Sequence, residues 1–105
     1  MTFPARITRL PAFAGPFDAH RLAAEGAQIL FASYPAGTVI GDHAHATHNV
    51  GVITSGELIV TVDGVETRHG PGSWYEVRPD VVHRARFEVE TAEIEIWFDV
   101  DAGAT

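Results

Sequence analysis

Turn signals recur along this chain too often to leave room for long helices. Pro35-Ala36-Gly37, Ser55-Gly56, Asp63-Gly64, His69-Gly70-Pro71-Gly72 and Arg78-Pro79-Asp80 each break the backbone, and the runs between them are rich in Val, Ile, Thr and aromatic residues. Those residue types favour strands. Asp-Gly between two such runs is a hairpin signal, because a tight two-residue turn needs φ > 0 at its centre. The expected strands are Arg6–Leu10, Gln28–Tyr34, Thr38–His45, His48–Thr54, Glu57–Val62, Val65–Arg68, Ser73–Val77, Val82–Val89 and Thr91–Val100. Pro11–Phe17 reads as a loop, and Ala102–Thr105 as a frayed tail. Asp18 is placed to N-cap a short helical turn through His20–Ala24, with Gly26 closing it. Short strands in succession with almost no helical period predict an all-β sandwich or barrel. In Val82–Val89 the alternation puts His83, Ala85, Phe87 and Val89 on one face and Arg84, Arg86, Glu88 and Glu90 on the other. The first face is expected inside and the second in water.

A chain of 105 residues suits one domain, 1–105, and its hydrophobic fraction of 46% is enough for a core that holds without a metal or disulfide. The absence of Cys removes thiolate chemistry and Cys-type zinc sites. A formal net charge of −7 repels phosphate backbones, so nucleic-acid binding is not expected. No apolar run approaches the roughly 18 residues of a membrane span. The N-terminal stretch is broken by Pro11 and Pro16 and makes a poor signal peptide, so the cytoplasm is the expected compartment.

Against this background the histidines stand out. Asp42-His43-Ala44-His45 is a His-x-His, and side chains two apart on a strand share a face with Cα atoms roughly 6.5 Å apart. Two such rings can converge on one ion at about 2.0–2.1 Å from each nitrogen. His83, from a distant strand, would complete a facial set that leaves further coordination positions open. That suits a metal that handles a substrate more than one that staples a fold.

Taken together, the two histidine segments resemble the cupin superfamily. Gly37, His43, His45 and Gly56 match its first motif in register, with Asn49 at the usual Glu position. Gly72 and His83 match its second, with Arg78, Asp80 and Phe87 standing where Pro, Gly and Asn are usual. The match covers about residues 28–100. It implies a double-stranded β-helix, the jelly-roll barrel of a small single-domain cupin, and it implies a homodimer. It also implies a divalent metal (Fe, Mn, Ni or Zn) held by His43, His45 and His83. Asn49 would be a weak fourth ligand, its neutral carbonyl oxygen a poorer donor than a carboxylate. Neighbouring strand residues face opposite ways, so His48 is the alternative fourth ligand, and the motif register favours Asn49. The superfamily hosts many reactions, so the spacing is specific for the fold and weak for the chemistry.

The function that follows is a metal-dependent enzyme of oxygenase or isomerase type acting on a small polar molecule. A non-catalytic sensor that binds a small ligand is the second reading. Tyr34 and Glu76 are the expected acid/base helpers. Trp74, Glu76 and Arg78 share one strand face and Tyr75 and Val77 the other, and alternation alone does not decide which is inward. Glu93 and Glu95 alternate with Ile94 and Ile96, so a solvated face is expected for the two acids. Trp97 and Phe98 are expected in the core or an interface between copies. Phe31 and Gln28 are expected at the barrel mouth, and His20 and His69 on the surface.

Overall fold

The computed structural model describes residues 3–15 and 17–100; Pro16 and the tail from 101, where fraying was expected, lie outside the described residues. One short helix, α1 (Ala5–Thr8), precedes nine strands: β1 (Asp18–Ala24), β2 (Ala27–Tyr34), β3 (Thr38–His43), β4 (His48–Ser55), β5 (Leu58–Val62), β6 (Val65–His69), β7 (Trp74–Val77), β8 (His83–Phe87) and β9 (Thr91–Phe98). They form two antiparallel sheets, ordered β1-β2-β9-β4-β7 and β3-β8-β5-β6. Strands β3 and β8 are neighbours in one sheet while β4 and β9 are neighbours in the other. The chain therefore crosses repeatedly between the layers, and the pair closes as a jelly-roll barrel.

The turn chemistry sets several of these connections. Asp63 and Gly64 both have positive φ, 51° and 75°, as the β5–β6 hairpin requires. Gly26, at φ 75°, closes the β1–β2 hairpin, in which Ala24 pairs with Ala27. That hairpin overturns the expected helical turn after Asp18. Every residue of β1 pairs with β2, and a strand satisfies more backbone groups there than one isolated turn. The expected strand at Arg6–Leu10 is likewise absent. Pro4 has φ −55°, suited to the start of a helix, and the Thr8 hydroxyl donates to the Ala5 carbonyl.

Between the layers lie Ala32 and Tyr34 from β2, Ile53 from β4, Leu58 and Val60 from β5, and Phe87 from β8, all buried. Tyr34 and Phe87 stack with ring centroids 4.0 Å apart and planes 10° apart. Such a pair adds about 0.5–1.5 kcal/mol beyond the area it buries. On β8, His83 and Phe87 are buried and Arg84 is exposed, which is the face assignment that alternation predicts. Val89 lies beyond the end of β8 and is exposed.

Strand β9 inverts its expectation. Glu93 and Glu95 are buried, 2% and 6% exposed, whereas Ile94 and Ile96 are only partly covered. The isoleucines lie on the outer face of the five-stranded sheet, in cross-strand rows with other apolar residues: Leu22, Ile29, Ile96 and Val50 form one such row. That outer face is apolar, so an Ile-in, Glu-out rule picks the wrong side. No helix among the described residues is long and apolar enough to cross a membrane.

Candidate metal centre and its cavity

A register shift in β3 aims the first histidine. Thr38 pairs with Phe87 and Ile40 with Ala85, but the next pair is His43 with His83. Three residues on β3 thus span two on β8, so one extra residue is accommodated between Ile40 and His43. Ile40 and His43 are an odd number apart, yet both line the barrel cavity. Without the bulge, strict alternation would turn His43 outward. Gly41 lies within this irregularity, and glycine inside a strand is a common bulge marker. Sequence alternation therefore reaches a correct clustering through an incorrect local picture: β3 ends at His43, and His45 lies in the loop beyond it. That loop is held by the Asp80 N–H, which donates to the His45 carbonyl at 2.7 Å. Asp80 has φ 63°, a left-handed conformation that Asp tolerates better than most residues. This position is where the cupin motif usually has Gly.

The three imidazoles converge. Each of His43, His45 and His83 offers one nitrogen, and these atoms lie within 4.8 Å of one another. The ring centroids of His43 and His83 are 4.1 Å apart. The His43 Nδ1–H donates to the Gly41 carbonyl at 2.7 Å, and the His83 Nδ1–H to the Val81 carbonyl at 3.0 Å. A carbonyl only accepts, so in the neutral form of either ring Nδ1 carries the hydrogen and Nε2 keeps its lone pair. Backbone partners of this kind orient metal-ligating histidines. Burial, then the neighbouring His43 and His83, hold His45 below the usual imidazole range. Burial likewise lowers His83, against an opposing effect of the Val81 carbonyl. Both shifts favour the neutral form that binds a cation. The donor set and the tautomers of His43 and His83 fit a divalent metal.

Asn49 is 6% exposed and lines the same cavity, while its neighbour His48 turns outward and meets Glu76 at 2.6 Å. Asn49 Oδ1 accepts from the Thr47 hydroxyl at 2.6 Å and retains a second lone pair. Glu76 does not reach the cavity. Its side chain is 51% exposed on the outer face of β7, so its expected acid/base role is withdrawn. Tyr75 and Val77 are the inward residues of that strand. Phe31 faces away from the cavity, edge-on to Phe3, and Gln28 meets Arg21 at 3.4 Å; neither lines the mouth. His20 and His69 stand apart from the triad, tied to the Leu10 carbonyl and the Ser73 hydroxyl.

Below the histidines lies a buried polar cluster that sequence reasoning missed. Tyr34 donates to Glu95 Oε2 at 2.5 Å and Trp97 Nε1–H to Glu95 Oε1 at 3.0 Å. Tyr75 donates to Glu93 Oε1 at 3.0 Å. Burial, then the charge of Glu95, pushes Glu93 well above the usual carboxylate range. Burial and the same two acids push the Tyr34 phenol far up, so it remains a hydroxyl at neutral pH and keeps the proton it donates to Glu95. The missed signal was the shared parity of Glu93, Glu95 and Trp97. Trp97 also flanks His45, ring centroids 5.0 Å apart, so it walls the site instead of filling a remote core. Phe13 packs edge-on to Trp97 and Phe17 against Tyr34, which brings the segment before β1 over the mouth. The cavity, open on one side, has a volume of about 210 Å³.

Sequence comparison places this geometry in a family. Residues 30–100 match the cupin domain family. The chain belongs to that family. Among solved structures it is similar to an RmlC-like cupin from Shewanella frigidimarina, with 21% identity over 90% of this chain and 88% of that one and a TM-score of 0.77. It is also similar to a cupin 2 conserved barrel domain protein from Salinispora arenicola, with 16% identity, 95% and 89% coverage and a TM-score of 0.75. A salicylate 1,2-dioxygenase from Pseudoaminobacter salicylatoxidans, solved with gentisate, shares 18% identity over 84% of this chain and 27% of its own, with a TM-score of 0.73. At these identities the likeness concerns the cupin barrel itself. No curated protein matches the chain in sequence.

Proposed function

We propose that this cupin is a metal-dependent enzyme of oxygenase or isomerase type, with His43, His45 and His83 holding one divalent cation (Fe, Mn, Ni or Zn). The observation that carries the reading is the convergence of three imidazole nitrogens within 4.8 Å, two of the rings locked by backbone carbonyls so that Nε2 is free. When bound, the ion supplies a Lewis acid, or an O2-activating centre if it is iron.

The chain's own residues do the rest. Asn49 stands ready as a weak fourth ligand or as a hydrogen-bonding partner of the substrate, its amide oriented by Thr47. Trp97 and Phe13 shield the His45 side from water. Tyr34 is a fixed donor that holds Glu95 in place.

A sensor that binds its ligand without turnover is the second reading. It is favoured by one observation: among the described residues no carboxylate joins the three histidines at ligand distance. Metal analysis of protein purified without a His tag separates the two. Near-stoichiometric iron or manganese supports the enzyme, and a metal-free, folded protein that still binds a small molecule supports the sensor. His43→Ala and His83→Ala should each strip the metal and leave the barrel folded by circular dichroism. Full metal content in both variants refutes the site.

A further inference from the structure

The three imidazoles of the site are not held alike. His43 and His83 each donate Nδ1–H to a backbone carbonyl two residues back, Gly41 and Val81. His45 lies in the loop beyond β3, where the Asp80 N–H fixes its carbonyl. Its ring has no such tie. Of the chain's six histidines, His20, His43, His48, His69 and His83 all have a ring nitrogen in a hydrogen bond; His45 has none among the described residues. A ligand side chain that is free to turn gives up that freedom on binding, and affinity falls accordingly.

What lies against the His45 ring is Trp97, with centroids 5.0 Å apart and planes 40° apart. That is within the range of packed aromatic pairs, about 4.5–7 Å. Trp97 is itself fixed from three directions. Its backbone pairs with Gln28 on β2 and Asn49 on β4, so it stands in the middle strand of the five-stranded sheet. Its Nε1–H donates to Glu95 Oε1 at 3.0 Å, and Phe13 packs edge-on to its ring at 5.6 Å. Glu95 is held in turn by the Tyr34 hydroxyl, and Tyr34 is stacked on Phe87. A line of fixed contacts thus runs from the core to the one untied ring of the triad.

We propose that Trp97 is the positioning residue of His45, doing for that ring what the Gly41 and Val81 carbonyls do for the other two. This rests on the reading of the three histidines as a metal centre. The indole blocks the imidazole from swinging toward β9, so a nitrogen stays turned toward His43 and His83.

Trp97→Leu tests it in two measurements on the full-length chain. In the first, proton–nitrogen NMR spectra of the histidine rings are recorded without metal. The His45 signals should broaden or split, while those of His43 and His83, tied to the backbone, stay single. In the second, zinc affinity is measured by competition with a chelator. It should fall about ten- to a hundredfold, the usual loss when a support behind a metal ligand is removed. Trp97→Phe, which restores a ring without the N–H to Glu95, should recover part of both. Trp74→Leu, exposed on the outer face of β7, should change neither. Wild-type zinc affinity in Trp97→Leu, a His45 ring that stays as sharp as the other two, or equal blurring of all three rings overturns the proposal. Should the Leu variant not fold, the unsubstituted metal-free protein decides: His45 must show one ring conformation with cross-relaxation to the Trp97 ring, and an averaged ring overturns the proposal. Failure of the metal reading shows elsewhere, in the metal content of the histidine variants.

Discussion

Gly51→Ala gives the sharpest test of how the cavity is built, because two physical arguments predict opposite signs. Gly51 sits mid-strand in β4, paired with Glu95 on one side and Tyr75 on the other. A glycine in a strand interior normally destabilises by about 0.5–1 kcal/mol relative to Ala, so Ala should stabilise if there is room. There is none. A Cβ on Gly51 would overlap the Tyr75 ring, its oxygen included at 2.6 Å. The ring must move, and overpacking of this kind costs about 1–3 kcal/mol. Moving it also takes the hydroxyl from Glu93 Oε1, and orphaning that buried acceptor adds about 1–3 kcal/mol. Set against the backbone gain, the net loss is about 1–5.5 kcal/mol. In urea, with a slope of about 1.5 kcal/mol per molar, the midpoint should fall by about 0.7–3.7 M. Adding Tyr75→Ala to the same chain should abolish the penalty of the added methyl, a coupling that a double-mutant cycle isolates. A Gly51→Ala protein that unfolds at or above the wild-type midpoint would refute the close-approach argument.

Asn49→Glu should tighten divalent metal binding by supplying an anionic ligand; an unchanged affinity by calorimetry would mean that this side chain does not reach the ion. Glu76→Ala should leave metal content and ligand binding at wild-type levels and stability within about 0.5 kcal/mol, since its partner His48 also faces out. A loss of metal or ligand in that variant would restore Glu76 to the site. Glu93, raised in the fold, must take up a proton on folding once pH exceeds the unfolded value of 4.5. Its stabilising contribution is fully present below that pH and is lost as pH rises toward the folded pKa. Wild type should therefore lose stability relative to Glu93→Gln by up to about 1.4 kcal/mol per pH unit above 4.5. Parallel stability curves for the two proteins would show that Glu93 is ionised in the fold.

Much of the barrel is legible because its causes are local. Asp63-Gly64 can be read as a tight turn because both residues must adopt positive φ and these two tolerate it. His83, Ala85 and Phe87 can be assigned to one face because β8 is regular. The lapses share a different origin. β1 lacks alternation of its own and exists because β2 pairs with it. The bulge that turns His43 inward depends on register with β8, and Gly41 only hints at it. Glu93 and Glu95 carry the pattern of a solvated face, yet Tyr34, Tyr75 and Trp97 supply hydrogen bonds that make their burial tolerable.

By itself the sequence determined a short-strand β fold, the cupin spacing of its histidines and the absence of thiol chemistry. These follow from backbone propensities and from positions along one chain. The tertiary structure alone decided which side of β7 and of β9 faces the cavity, and so exchanged Glu76 for Glu93 and Glu95. Alternation divides a strand into two faces, but where both faces mix polar and apolar residues only the packing of one sheet on the other says which is inside.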